Sequence, residues 1–220
     1  MSGRTIVIGD IHGCYDELRD LLDRLALDSD DRVVAVGDLI VKGWKNREVL
    51  DLFIGDERFR AVLGNHDRAI LRYLRGKKRN LKESQKKALA ELEVDEDHYF
   101  LFLQSLPNMI DLGSHLVVHA GLRPGVALPR QKAGDLTELR TLGRDRKSRK
   151  GTPWYEVYDG EKIVLFGHWP AANPRLAPRA IGLDTGCVYG NRLTAYILET
   201  GEFVSVQSRC AYDPPKRPLV

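Results

Sequence analysis

Thr5-Ile6-Val7-Ile8-Gly9-Asp10-Ile11-His12-Gly13 is a β-branched run that stops at a glycine and then places a carboxylate and an imidazole two residues apart, between two glycines. β-Branched side chains suit a pleated strand, and the flanking glycines allow the sharp backbone exit that turns Asp10 and His12 toward one point. Beyond it, Leu18, Leu21, Leu22 and Leu25 share one face of a helix expected over Tyr15 to Leu27. The same punctuation recurs downstream, where Arg32 to Val36 runs into Gly37-Asp38 and Phe59 to Leu63 runs into Gly64-Asn65-His66-Asp67. In open α/β sheets ligands gather beyond the carboxyl ends of strands because the loops there converge. Three loops of this kind can share one site.

The second half reads mostly as strands: Met109 to Leu112, His115 to Val118, Lys162 to Phe166, Ala180 to Leu183, Leu193 to Leu198 and Glu202 to Val206. The last two are joined by a hairpin turn at Glu199-Thr200-Gly201. Two of the strands end in histidine, as Val117-Val118-His119-Ala120-Gly121 and Val164-Leu165-Phe166-Gly167-His168. Residues 70–105 read as helices with a basic, polar middle, a helical cap or insertion within one domain spanning 1–220. Arg140 to Lys150, rich in Arg, Lys, Gly and Ser, reads as a mobile loop, and the tail DPPKRPLV as irregular because of its prolines.

Composition narrows the class. A chain of 220 residues with 43% hydrophobic content can bury one sizeable core. Its 34 Lys and Arg against 31 Asp and Glu leave a net charge of +3, too balanced for a general nucleic-acid or membrane-surface binder, so any polyanion site has to be local. Cys14, Cys187 and Cys210 are widely spaced with no Cys-x-x-Cys, which argues against a disulfide framework or a zinc knuckle and for a reducing compartment. No apolar run approaches the roughly 20 residues that span a bilayer. The expectation is a cytoplasmic protein without a membrane segment.

Taken singly, an Asp-x-His pair before glycine is more often a turn, and a strand-end histidine more often a satisfied one. Yet four of the six histidines, His12, His66, His119 and His168, fall in the strand-end pattern together with Asp10, Asp38 and Asn65. Hard oxygen and borderline nitrogen donors without a thiolate point to a divalent metal centre.

The blocks GDIHG, GDLIVKG, GNHD, VHAGL and FGHWP stand in the order and approximate spacing of the calcineurin-like metallophosphoesterases, and the chain resembles the phosphoprotein phosphatase branch of that family over nearly its whole length. The resemblance implies an α/β metallophosphoesterase sandwich, two central mixed sheets flanked by helices. It also implies two divalent ions per chain that activate a bridging water for in-line attack on phosphorus. Asp10 and His12 would hold the first ion, Asp38 would bridge, and Asn65, His119 and His168 would complete the second. Manganese is the first expectation for the metal, with cobalt, iron and zinc compatible. His66 matches the family's non-ligand histidine and would protonate the leaving oxygen.

Two departures refine the resemblance. Protein serine/threonine phosphatases carry Gly-Asp-x-Val-Asp-Arg-Gly in the second block, where this chain has Val41 and Lys42 in place of the last Asp and Arg. Orientation of His66 then falls to Asp67, and Lys42 offers phosphate a point charge in place of a fork. In this the chain is similar to the symmetrical diadenosine tetraphosphate hydrolases and ApaH-like phosphatases, as it is in the closing block from Gly182 to Ala195 and in Phe166-Gly167-His168-Trp169. The implied activity is symmetrical cleavage of diadenosine tetraphosphate to two ADP. Protein dephosphorylation, removal of 5' caps from RNA and a degenerate metal-binding scaffold are the alternatives. Lys42, Arg123, Arg140 and Arg192 are the candidate cations for the phosphate chain, with Tyr189 or Trp169 to stack on a base. Asp184 is either a turn former or a support for a histidine ligand. No partner protein is implied.

Overall fold

The central strands lack polar alternation because both of their faces are covered. The computed structural model describes residues 3–215 and 218–219; of the tail expected to be irregular, Lys216, Arg217 and Val220 lie outside the described residues. The strands are β1 (Thr5–Ile8), β2 (Arg32–Ala35), β3 (Phe59–Ala61), β4 (Met109–Asp111), β5 (His115–Val118), β6 (Ile163–Phe166), β7 (Arg175–Ala177), β8 (Ala180–Gly182), β9 (Arg192–Ile197) and β10 (Phe203–Gln207). They form two mixed sheets of five, ordered β10-β9-β1-β2-β3 and β4-β5-β6-β8-β7.

Val7, Val34, Val36, Val62, Val117, Leu165 and Leu183 fill the space between the sheets. Their sequence neighbours point the other way. Ile6, Ile8, Val33 and Ala35 pack beneath helices on the outer face of the first sheet, while Leu116, Val118, Val164 and Phe166 pack with Trp154 on the outer face of the second. A run such as Ile6-Val7-Ile8 therefore feeds two cores at once, and this fixes its register, since a slip of one residue would exchange the faces.

The helices are α1 (Tyr15–Leu25), α2 (Asn46–Gly55), α3 (Asn65–Leu74), α4 (Glu83–Leu92), α5 (Glu96–Ser105) and α6 (Ala133–Glu138). Helix α1 stops two residues short of the expected Leu27 because Ala26 turns left-handed, with φ 46°, as its cap. Ala88 and Leu92 of α4 and Tyr99 and Leu103 of α5 lie in the same buried cluster as Leu18 of α1 and Leu50 of α2. The helices within residues 70–105 thus share the core of the first sheet. Helix α2 and strand β7 carry no clear periodic signal and are seen only in the structure. No helix of the described residues is long and apolar enough to cross a membrane.

Strand direction places the site. β1, β2 and β3 run parallel, as do β5, β6 and β8. The first three end in the loops carrying Asp10, Asp38 and Asn65. The second three end in those carrying His119, His168 and Asp184.

Candidate metal centre

The two sets of loops meet at Asp38. Its Oδ2 lies 3.5 Å from His12 Nε2 and 3.4 Å from His119 Nε2, and its Oδ1 accepts the His66 backbone N–H at 2.8 Å. Asp10 Oδ2 is 3.9 Å from His12 Nε2, and both of its oxygens accept from the His168 backbone N–H at 3.1 Å. Asn65 Oδ1 faces two rings, His119 Nε2 at 3.1 Å and His168 Nδ1 at 2.6 Å. All six sequence-expected ligands are therefore gathered, four of them from the first sheet and two from the second.

The hydrogen bonds decide which nitrogens carry lone pairs. His12 Nδ1 donates to the Ile40 carbonyl at 3.2 Å and His119 Nδ1 to the Val36 carbonyl at 2.9 Å. A carbonyl only accepts, so in each neutral ring Nε2 is left with a lone pair, the arrangement by which outer partners orient metal-binding imidazoles. The His119 lone pair then points at Asp38 Oδ2 and Asn65 Oδ1, which also carry only lone pairs, and the buried His168 Nε2 meets no protein partner. Burial pushes Asp38 up to about 7, Asp184 up to about 6 and His119 down to about 4, and it moves Asp10 up and His12 and His168 well down. Carboxylates and unprotonated imidazoles converging in a buried space fit divalent cations, which would satisfy the facing lone pairs together.

Backbone strain accompanies the cluster. His12, Asp38, Val41, Lys42 and His168 all have positive φ, from 51° to 82°. For β-branched Val41, at 79°, this is a conformation the surroundings must impose. Buried Asn46 imposes it, since its Oδ1 accepts the Val41 N–H at 2.7 Å and its Nδ2 donates to the Gly43 carbonyl at 3.1 Å. Glu91, on α4, accepts in turn from Asn46 N at 2.7 Å and Nδ2 at 2.8 Å. Neither Asn46 nor Glu91 was legible as part of the site. Since α2, which Asn46 opens, carries no clear periodic signal, nothing in the sequence marked Asn46, and Glu91 carried no signal either. Close approach sets two glycines: a side chain at Gly64 would strike Asp38, and one at Gly167 would strike the Asp10 carboxylate.

Asp67 is not where the orientation of His66 requires it. Its carboxylate accepts three backbone N–H groups, from Gly64 at 3.1 Å, Leu39 at 3.3 Å and Ile40 at 3.2 Å, and it is fully buried. It stitches the GNHD loop to the GDLIVKG loop. His66 Nδ1 is buried without a hydrogen-bond partner, and the ring stands edge-on to His12 with centroids 5.0 Å apart.

Beside the cluster opens a cleft of about 760 Å³, whose lining includes His66, Lys42, Tyr189 and Trp169. Lys82, Lys147, Arg149 and Lys150 add further cations to the lining, with Asp213 as its one acid among the described residues. Lys42 Nζ lies 2.8 Å from the Tyr189 hydroxyl and 3.0 Å from His12 Nε2. Trp169 carries the Arg175 guanidinium over its ring at 5.0 Å. Arg140 is half-buried and donates to the His168 carbonyl at 3.2 Å and the Lys147 carbonyl at 3.4 Å. It ties the basic loop to the metal-facing turn. Arg123 and Arg192 do not line the cleft. Arg123 grips Asp135 at 3.0 and 3.3 Å, and Arg192 donates to the Ala172 carbonyl and Asn173.

The comparisons agree with this geometry. The family model described as calcineurin-like phosphoesterase matches residues 3–203. A Bacillus subtilis protein named an asymmetrical bis(5'-nucleosyl)-tetraphosphatase is 35% identical, covering 97% of this chain and 98% of its own. A symmetrical bis(5'-nucleosyl)-tetraphosphatase from Aromatoleum aromaticum is 31% identical, over 87% of this chain and 92% of its own. A crystal structure provisionally described as a diadenosine tetraphosphatase superposes with a TM-score of 0.82 at 33% identity, covering 94% of this chain and 95% of that one. With both sheets, the strand-end donors and a family match over residues 3–203, this chain belongs to the calcineurin-like phosphoesterases and is a hydrolase.

Proposed function

We propose that the chain hydrolyses dinucleoside polyphosphates with Asp10, His12, Asp38, Asn65, His119 and His168 as ligands of two divalent ions, manganese first among the candidates. The carrying observation is the cleft, in which five cations, Lys42, Lys82, Lys147, Arg149 and Lys150, stand with Tyr189 and Trp169 beside the metal-facing cluster. One phosphoryl group needs fewer charges, whereas a tetraphosphate presents a chain of them with an aromatic base at each end. Bound ions would supply the charge that lowers the pKa of water and offsets the phosphoryl oxygens. The protein's own residues do the rest. Lys42 meets a phosphoryl oxygen as a point charge, Arg140 holds the basic loop and the His168 turn in register, and His66 faces the cleft, where an arriving phosphate dianion favours its protonated form. From there His66 gives its proton to the leaving oxygen.

The position of the cut is the finer question. The closing block favours two ADP, while the Bacillus subtilis relative carries the name of an asymmetrical enzyme, and its 35% identity over nearly the whole length favours AMP and ATP. We place the asymmetrical cut first. Chromatography of the products from diadenosine tetraphosphate tests both levels: AMP with ATP supports the asymmetrical reading, two ADP replaces it with the symmetrical one, and no cleavage while a phosphoserine peptide or capped RNA is consumed overturns the substrate class.

A further inference from the structure

We propose that Trp44, two residues beyond the cleft-lining Lys42, is a stacking platform for one nucleobase of the substrate; this rests on the dinucleoside polyphosphate reading above. Trp44 is 65% exposed, the most exposed aromatic side chain among the described residues. Its backbone is nevertheless held on both sides. Gly43 N–H donates to the His12 carbonyl at 2.8 Å, Lys45 N–H to the Gly13 carbonyl at 3.1 Å, and Asn46, one residue further on, is clamped by Glu91. A ring presented to solvent from so well-anchored a loop has lost little freedom that binding would have to remove, which is what a recognition platform needs.

The ring's own support points the same way. Trp44 meets Tyr212 edge-on, with centroids 4.7 Å apart and planes at 73°. The Tyr212 hydroxyl is fixed in turn by the buried Glu17 carboxylate of α1, at 2.9 and 3.0 Å. Both members of the pair belong to segments that wall the cleft: Lys42 precedes Trp44 by two residues, and Asp213, Pro214 and Pro215 directly follow Tyr212. The Trp44 indole thus rests against Tyr212 on the segment that carries the cleft-lining Lys42. Trp169, next to His168, already has Arg175 over its ring and serves a base close to the cluster. A substrate with a base at each end needs a second surface further out, and stacking of any base on an indole supplies affinity without demanding one sequence of hydrogen bonds.

The test compares wild type with Trp44→Ala and Trp44→Phe on diadenosine tetraphosphate and on p-nitrophenyl phosphate, which has no base. Trp44→Ala should raise KM for the dinucleotide about 5- to 140-fold, the range of one lost base–aromatic stack, with kcat nearly unchanged and p-nitrophenyl phosphate kinetics unaltered. Trp44→Phe should recover most of the loss. Unchanged KM in Trp44→Ala overturns the platform, and so does an equal loss on p-nitrophenyl phosphate, which would mean that the Lys42 loop has shifted. Failure of the wild type to cleave the dinucleotide would instead remove the polyphosphate reading on which the platform depends.

Discussion

The floor and the rim of the cleft are built on opposite terms. The floor consists mostly of buried strand-end residues hydrogen-bonded in series, with His12, Asp38 and His168 held at positive φ, so that its donors are oriented before any ligand arrives. The rim consists of Lys147, Arg149, Lys150 and Lys82 on irregular or helix-flanking segments, largely exposed, whose charges act through solvent. Precision of placement matters for the chemistry, whereas attraction of a polyanion depends on summed charge and tolerates movement. Changes to the floor should therefore be severe and specific, and changes to the rim mild and dependent on salt.

The largest effect is expected at the point where the two sheets meet. Asp38→Asn should lower turnover by at least about 10,000-fold, beyond the loss of a single general acid, and should reduce metal content measured by elemental analysis. Chelation of the wild type should abolish activity, with recovery on adding Mn or Co. Near-normal turnover and metal content in Asp38→Asn would remove the floor from the reaction altogether.

Next is His66→Ala, expected to keep both metals and lose turnover by about 100- to 10,000-fold on diadenosine tetraphosphate, but little on p-nitrophenyl phosphate, whose leaving group needs no proton. An equal loss on both substrates would make His66 a structural member of the floor.

Asp67→Ala separates orientation from architecture. Three buried backbone N–H groups would lose their acceptor, so unfolding free energy in a denaturant titration should fall by about 3 kcal/mol. The ratio of activities on good and poor leaving groups should stay as in wild type. A change in that ratio at unchanged stability would return Asp67 to the role of orienting His66.

The smallest effect belongs to the rim. Replacing Lys147, Arg149 and Lys150 together by Gln should raise KM for the tetraphosphate by about 10-fold at low ionic strength, with kcat preserved and the difference shrinking as salt screens the exposed charges. Loss of kcat of the same size would show that the loop shapes the floor, through the contact of Arg140 with both the Lys147 and His168 carbonyls.

Within the sequence itself, the floor was almost wholly legible. Apolar runs ending in Gly-Asp, Gly-Asn and Gly-His need only local rules: a strand ends, glycine lets the chain turn, and the next residue faces what lies beyond the sheet. They pointed to one shared, metal-holding site at the strand ends, while the paired sheets and the ligand set Asp10, His12, Asp38, Asn65, His119 and His168 were what the resemblance to the metallophosphoesterases implied. What only the tertiary structure decided were partnerships between residues far apart in the chain. Asp67 went to three backbone amides because the GNHD and GDLIVKG loops lie against each other, which no spacing reveals. Arg123 was drawn away from the cleft by Asp135, and Glu91 was brought beneath Val41 by packing of α4 against α2. A charged side chain is long and its energy depends on whichever opposite charge or amide the fold brings within reach, so its type is written in the sequence while its partner is settled only when the layers close.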